Sequence, residues 1–147
     1  MKKTILITAC ILFCSLGFSQ EIGVRFGDVL DNTVALDGII RIGEFNRVHA
    51  DISFGSGVGI EALWDFLYRP LGGEAFNWYL GAGPSMLIDD DLFLFGFSGE
   101  IGLEYRFNTV PIAVGLDWRP TLFIVEETEF DAGGFGLNVR FVIGGNK

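Results

Sequence analysis

Cysteine is confined to positions 10 and 14, histidine to position 49, and no lysine occurs between Lys3 and Lys147. Both cysteines fall in a segment that reads as an export signal, so the mature chain has neither a disulfide framework nor a thiolate metal site. Long apolar runs are missing too. The longest uncharged stretch of the mature chain, 75–88, is interrupted by glycines and a proline. A membrane-spanning helix needs about 20 consecutive apolar residues. Basic charge is scarce, with ten Lys and Arg against nineteen Asp and Glu and a net charge of −9. That balance excludes a basic nucleic-acid surface. Solenoid repeats, a long helical period and a second domain are also lacking.

At the N-terminus, Lys2 and Lys3 precede an uncharged apolar stretch over 5–18, and Gly17 and Ser19 are small residues placed for a cut before Gln20. These features predict a cleaved signal peptide over 1–19 and a mature domain over 20–147. Cys10 follows Ala9, as a lipoprotein cysteine follows a small residue, but too few apolar residues precede it for an export core. Half of the residues are hydrophobic and mean hydropathy is +0.43, high for a water-soluble protein of this size. An exported hydrophobic chain with no spanning helix has one other common way to sit in a membrane. It closes a β-barrel, which satisfies every backbone polar group.

Eight strand-like segments fit between turn signals, over 22–28, 34–43, 47–54, 58–69, 76–88, 92–107, 112–125 and 135–143. Gly, Asn, Asp and Pro collect in the breaks, where turn geometry is needed. Alternation along 92–107 is the clearest. Phe93, Phe95, Phe97, Ile101, Leu103, Tyr105 and Phe107 lie on one face, and Ser98, Glu100, Glu104 and Arg106 share the other with Leu92 and Leu94. The third, fourth and seventh segments repeat it. Ile60, Trp64 and Phe66 oppose Glu61, Asp65 and Arg69; Leu116 and Trp118 oppose Asp117 and Arg119. In the eighth, Val139 and Phe141 oppose Arg140. Tyr68 falls on the apolar face in this assignment.

In a soluble sandwich the apolar face lines a core; in a transmembrane barrel it meets lipid and the charges point inward. An Arg on the lipid face near the midplane costs about 2–4 kcal/mol, so seven misplaced arginines could not be tolerated. On the polar parity Arg25, Arg41, Arg47, Arg69, Arg106, Arg119 and Arg140 stand against Asp37, Asp51, Glu61, Asp65, Glu100, Glu104 and Asp117. Seven cations against seven anions make a neutral interior. The use of Arg without Lys suits bidentate pairing to carboxylates. The lipid face comprises Ile60, Trp64, Phe66, Phe93, Phe95, Phe97, Ile101, Leu103, Leu116, Trp118, Val139 and Phe141. Tyr68, Tyr79, Tyr105 and Trp78 lie near the turns at 45, 72 and 109, which suits an aromatic girdle at one interface. The other acids include Asp28, Asp31, Asp89, Asp90, Asp91, Glu126, Glu127, Glu129 and Asp131, all in the opposite connections.

In this pattern the mature chain resembles the small eight-stranded outer-membrane β-barrels of Gram-negative bacteria, the OmpA/OmpX-type barrels. The resemblance rests on the hairpin sequence Asn77-Trp78-Tyr79-Leu80-Gly81-Ala82-Gly83 and on the paired segments 102–107 and 114–120. It rests also on the last strand, Gly136-Leu137-Asn138-Val139-Arg140-Phe141, similar to the family's assembly signal. The family commonly ends on an aromatic residue, whereas residues 144–147 follow here. The resemblance implies an all-β, eight-stranded antiparallel up-and-down transmembrane β-barrel in the cell outer membrane, monomeric, inserted by the barrel-assembly machinery. Outer-membrane lipid and lipopolysaccharide would be its surroundings.

Three features have a functional and a plain interpretation. His49 shares its parity with Asp51 and Ser53, and some barrels of this size are lipid A-modifying enzymes that use a His, a Ser and an acid. A relay needs base and nucleophile in contact, and Ser53 is four residues along the same strand. The expectation is a lone histidine in an ionic network, with no catalytic residue. The acidic runs at 89–91 and 126–131 could gather divalent cations through oxygen ligands, or simply keep the loop tips in water. Gly55-Ser56-Gly57-Val58-Gly59 resembles a phosphate loop but lacks the following Lys-Ser/Thr and helix, and is a hairpin turn. The sequence therefore predicts a non-enzymatic structural or surface-interaction barrel with no cofactor, no resident metal and no nucleic-acid partner. A small, porin-like pore, a lipid A-modifying enzyme and a soluble periplasmic ligand-binding barrel are the alternatives. Ser98→Ala is expected to be near neutral.

Overall fold

The computed structural model describes residues 20–144 apart from Glu74 and Glu127. The predicted signal peptide over 1–19, with its cut after Ser19, lies outside the described residues, as does the acid Glu127 of the last acidic run. The strands are β1 (Gln20–Val29), β2 (Asn32–Arg41), β3 (Arg47–Phe54), β4 (Val58–Pro70), β5 (Phe76–Asp89), β6 (Leu92–Arg106), β7 (Ile112–Trp118), β8 (Thr121–Val125), β9 (Glu129–Asp131) and β10 (Phe135–Ile143). Each pairs antiparallel with its neighbour, and β1 closes onto β10 with Gln20 opposite Ile143. β7 and β8 are two halves of one barrel strand, interrupted at Arg119-Pro120. There the Gly99 amide still reaches the Pro120 carbonyl at 2.9 Å. β9 pairs only with β8 and extends a hairpin beyond the barrel. The result is a closed eight-stranded antiparallel barrel.

Both chain ends of the barrel, Gln20 and Ile143, lie at one rim, here called the terminal rim, with the turns around 42–46, 71–75 and 107–111. The distal rim carries the turns at 30–31, 55–57 and 90–91 and the β8–β10 connection. Leu30 and Asp31 both have positive φ, at 50° and 61°, the geometry of a two-residue primed hairpin turn. A leucine is a costly choice there. It is buried against Leu87, Leu94 and Phe123, which offsets the backbone strain.

Alternation puts Ile60, Trp64, Phe66, Phe93, Phe95, Phe97, Ile101, Leu103, Leu116, Trp118, Val139 and Phe141 on the outside of the barrel. Ile22, Phe26, Leu36, Phe130 and Phe135 are exposed with them. Inside lie Arg25, Asp37, Arg47, His49, Asp51, Glu61, Asp65, Glu100, Glu104, Asp117, Arg119 and Arg140, all buried. Arg41 and Arg106 point inward at the terminal rim and are half-buried.

Two expectations are corrected here. Register slips between Asp65 and Leu67, a β-bulge, and a bulge reverses the side of the residues beyond it. Tyr68 therefore turns inward, opposite Tyr79, and Arg69 faces outward beside Trp78. Arg69 is not part of the interior network; its guanidinium lies 3.6 Å from the centre of the Phe45 ring. Tyr68 and Tyr79 are both buried inside the barrel, so the aromatic collar at the terminal rim consists of Trp78, Phe76, Tyr105 and Phe107. Tyr105 packs edge-on against Phe76 at 4.8 Å and Phe107 at 4.9 Å.

Candidate functional site: a layered, ion-paired barrel interior

The interior is built in layers because each inward position of one strand meets inward positions of its neighbours at the same height. At the distal rim Leu30, Leu87, Leu94 and Phe123 form an apolar plug, with Leu92 packed against it. Below it comes a layer of hydroxyls. Ser98 Oγ lies 2.5 Å from Ser85 Oγ and 2.6 Å from Thr121 Oγ1, and Ser85 donates to Glu61 at 3.3 Å. Asn32 donates to Ser53 Oγ at 2.9 Å on the other side of the barrel.

Arg119 is the hub of the middle layer. Its guanidinium meets Glu100 at 2.7 Å, Glu61 at 3.0 Å and Asp117 at 3.4 Å, and also pairs with Asp51. Alternation continues unshifted from Asp117 through Arg119 to Thr121 and sets this side chain inward at the level of Glu100. His49 sits beside it with Nε2 at 2.6 Å from Asp37 and Nδ1 at 2.9 Å from Glu100. A carboxylate only accepts, so a ring nitrogen facing one is placed to donate to it.

Nearer the terminal rim, Arg47 pairs with Asp65 at 2.6 Å and Glu104 at 2.8 Å, and lies over the rings of Tyr68 and Tyr79 at 4.4 Å from each. Arg140 meets Glu21 and Asp37 at 3.0 Å each and pairs with Glu104. Arg25 reaches Asp117 at 2.6 Å, and Asn138 donates to the same carboxylate at 2.8 Å. Arg106 pairs with Glu104 at 2.8 Å and with Glu21.

Glu21 is the functional residue that strand assignment from sequence missed. It lies beside the predicted cut, where strand one was started at Ile22; outward parity at Ile22 would have placed it inside. With Glu21 included and Arg69 removed, eight interior carboxylates face six guanidiniums and His49 among the described residues. The neutral interior of seven against seven is thereby corrected. The apolar plug was missed as well, because leucines at strand ends on the polar parity carry no charge to mark them.

Room for these large side chains comes from glycines facing them. A Cβ at Gly102 would stand 2.3 Å from the ring of Tyr79, whose hydroxyl donates to Asp117 at 3.3 Å. Gly102→Ala must push a buried ring aside. The expected cost is about 1–3 kcal/mol, the usual range for overpacking, read as a lower urea midpoint of the refolded barrel. Ala113 is already an alanine on the interior face of β7, and Ala113→Gly should cost less.

Asp37, His49 and Asp51, and likewise His49, Asp65 and Glu100, offer ligand atoms within 4.8 Å of one another. Arg119 Nη2 stands 3.1 Å from His49 Nε2, and Asp37 and Asp51 already hold Arg140 and Arg119. A divalent ion there would be placed against a guanidinium, so the donor set fits ion pairing better than metal. The acidic distal connections are exposed. Glu126 accepts the Phe93 amide at 3.1 Å and Asp131 the Gly133 amide at 2.7 Å.

Comparison with known proteins finds no family model that matches the chain, and no curated protein or solved structure similar to it.

Proposed function

We propose that this chain is an integral outer-membrane β-barrel of the OmpA/OmpX type, with a structural or surface-interaction role and no chemistry of its own. The observation that carries this is its polarity: charge is packed inside, and the outer wall is a belt of Phe, Leu, Ile, Val and Trp. Monomeric water-soluble proteins rarely expose contiguous apolar surface beyond a few hundred Å². In hydrocarbon the same wall is at home, and the closed ladder leaves no backbone edge unpaired. The even strand number and the shared rim of both termini fit a barrel with its ends in the periplasm. The acidic distal rim would then face outward, where divalent ions can bridge it to lipopolysaccharide phosphates. Entry through a cleaved signal peptide and the barrel-assembly machinery, and a monomeric state, belong to the same proposal.

A pore is disfavoured because side chains fill the interior and an apolar plug closes one end. A soluble ligand-binding barrel would need an apolar cavity and a polar wall, the reverse of this arrangement. As for the enzyme alternative, the ring nitrogens of His49 face Asp37, Glu100 and Arg119, and no hydrogen bond joins it to a serine or threonine among the described residues. The test is fractionation of expressing cells. Mature protein beginning at Gln20 is expected with outer membranes, migrating differently on gels before and after boiling. Recovery in the soluble periplasm with no heat-dependent shift would overturn the proposal.

A further inference from the structure

We infer that Arg41, at the terminal rim of the barrel, is a binding site for a phosphate group. It is set apart from the rest of the interior. Arg25, Arg47, Arg106, Arg119 and Arg140 each pair with at least one carboxylate, whereas Arg41 pairs with none among the described residues. Its one hydrogen bond runs from Nη2 to the Tyr68 hydroxyl, at 3.4 Å. Its Nε is buried and has no partner. The Tyr68 hydroxyl cannot do more for it, because it already donates to Glu104 at 2.8 Å and accepts from Arg106 at 2.9 Å. The carboxylates within the same layer, Glu21 and Glu104, are taken by Arg47, Arg106 and Arg140. Arg41 as a residue is only half-buried, so a guanidinium that no carboxylate holds can be reached from the terminal rim by an anion from outside.

Phosphate matches the planar fork of an arginine, which can give it two parallel hydrogen bonds. The surroundings favour a phosphate at this rim and not the other. The distal connections carry Asp89, Asp90, Asp91, Glu126 and Glu129, all exposed. At the terminal rim Glu44 is the one exposed acid among the described residues, and Arg69 adds a second cation with no carboxylate partner among them. Trp78, Phe76, Tyr105 and Phe107 stand at this rim on and beside the paired strands β5 and β6, and aromatic residues at a rim mark headgroup depth in membrane barrels. A phospholipid headgroup is therefore one source of the phosphate, and free phosphate is the other. The lipid source rests on the outer-membrane proposal; the phosphate site does not.

The test uses the folded mature protein in a phosphate-free glucoside detergent, with bound molecules counted by native mass spectrometry. The probes are dioleoylphosphatidylglycerol, dioleoylglycerol and inorganic phosphate. Wild type should retain one phosphatidylglycerol and no dioleoylglycerol. Arg41→Gln should bind the phospholipid at least about tenfold more weakly, and Arg41→Lys, a point charge without the fork, should fall between. Asp90→Asn at the other rim should bind as wild type does. Equal binding by wild type and Arg41→Gln, each with a native circular-dichroism melt, would overturn the site. Retention of dioleoylglycerol to the same extent would also overturn it, since apolar contact would then suffice. Inorganic phosphate that binds in an Arg41-dependent way and displaces the lipid would support the site and overturn the lipid source. If the chain proves to be a water-soluble barrel, the inorganic phosphate titration runs without detergent, and the Arg41→Gln contrast still decides.

Discussion

Arg119→Gln should leave little folded barrel at all. The substitution removes the one cation that Asp51, Glu61, Glu100 and Asp117 share, all of them buried. Breaking a single buried pair costs about 3–5 kcal/mol because a charge is left uncompensated. Here four carboxylates lose a partner at once, and whole-protein stability is commonly about 5–15 kcal/mol. Arg119→Lys should rescue only in part, because one ammonium cannot reach four carboxylates spread around a planar fork. The fraction of heat-shifted protein after refolding into vesicles, and its urea midpoint, measure both variants. An Arg119→Gln barrel with the wild-type midpoint would mean that the interior is hydrated enough to screen these charges.

Ile101→Arg is the second large effect and tests the surroundings of the barrel, not its filling. Ile101 is 46 % exposed near the middle of β6, opposite Leu80 on one side and Trp118 on the other. An arginine there should cost about 2–4 kcal/mol in a bilayer, falling as the position approaches an interface. On a water-soluble protein an exposed substitution of this kind usually changes stability by about 0.5 kcal/mol or less. Urea titration of the variant in lipid vesicles separates the two outcomes by several-fold. Ser98→Ala makes an inward comparison, and the structure changes what to expect of it. Ser98 bridges Ser85 and Thr121, so the alanine leaves Thr121 Oγ1 without that bond in a buried layer. A cost of about 1–3 kcal/mol replaces near neutrality.

The barrel was legible wherever one strand carried several charges of one parity. In β3, β4 up to Asp65, β6 and the barrel strand made of β7 and β8 with Arg119 between them, each charge repeats the same face, and a slip of one residue would reverse them all. At 66–68 that information fails. Phe66, Leu67 and Tyr68 are apolar on both parities, so nothing in their order signals the bulge that brings Tyr68 in and sends Arg69 out. Arg41 and Glu21 sit at strand ends, where one charge of unknown parity decides little. Which charges would meet was legible only in part. Glu100 and Arg119 are brought together by a short return turn. Arg47 with Glu104 crosses the barrel between β3 and β6, and that meeting depends on how the closed sheet is staggered. Arg140 and Glu21 meet across the closing β1–β10 pair, strands adjacent in the sheet but at opposite ends of the chain.

Pairs between residues so far apart in the chain also bear on how it can fold. Arg140, on the last strand to be synthesised, holds Glu21 from the first strand, Asp37 from the second and Glu104 from the sixth. Arg25 waits in the same way for Asp117, ninety-two positions later. Such long-range pairing raises contact order and slows folding. It also ties local success to global completion, because a chain short of β10 has both an open sheet edge and three interior acids that lack the Arg140 contact. Partial barrels are thus penalised twice, once in hydrogen bonds and once in charge, and the nearly finished intermediate gains little by forming early. Assembly should consequently be close to all-or-none, with strand closure and charge neutralisation occurring in a single step.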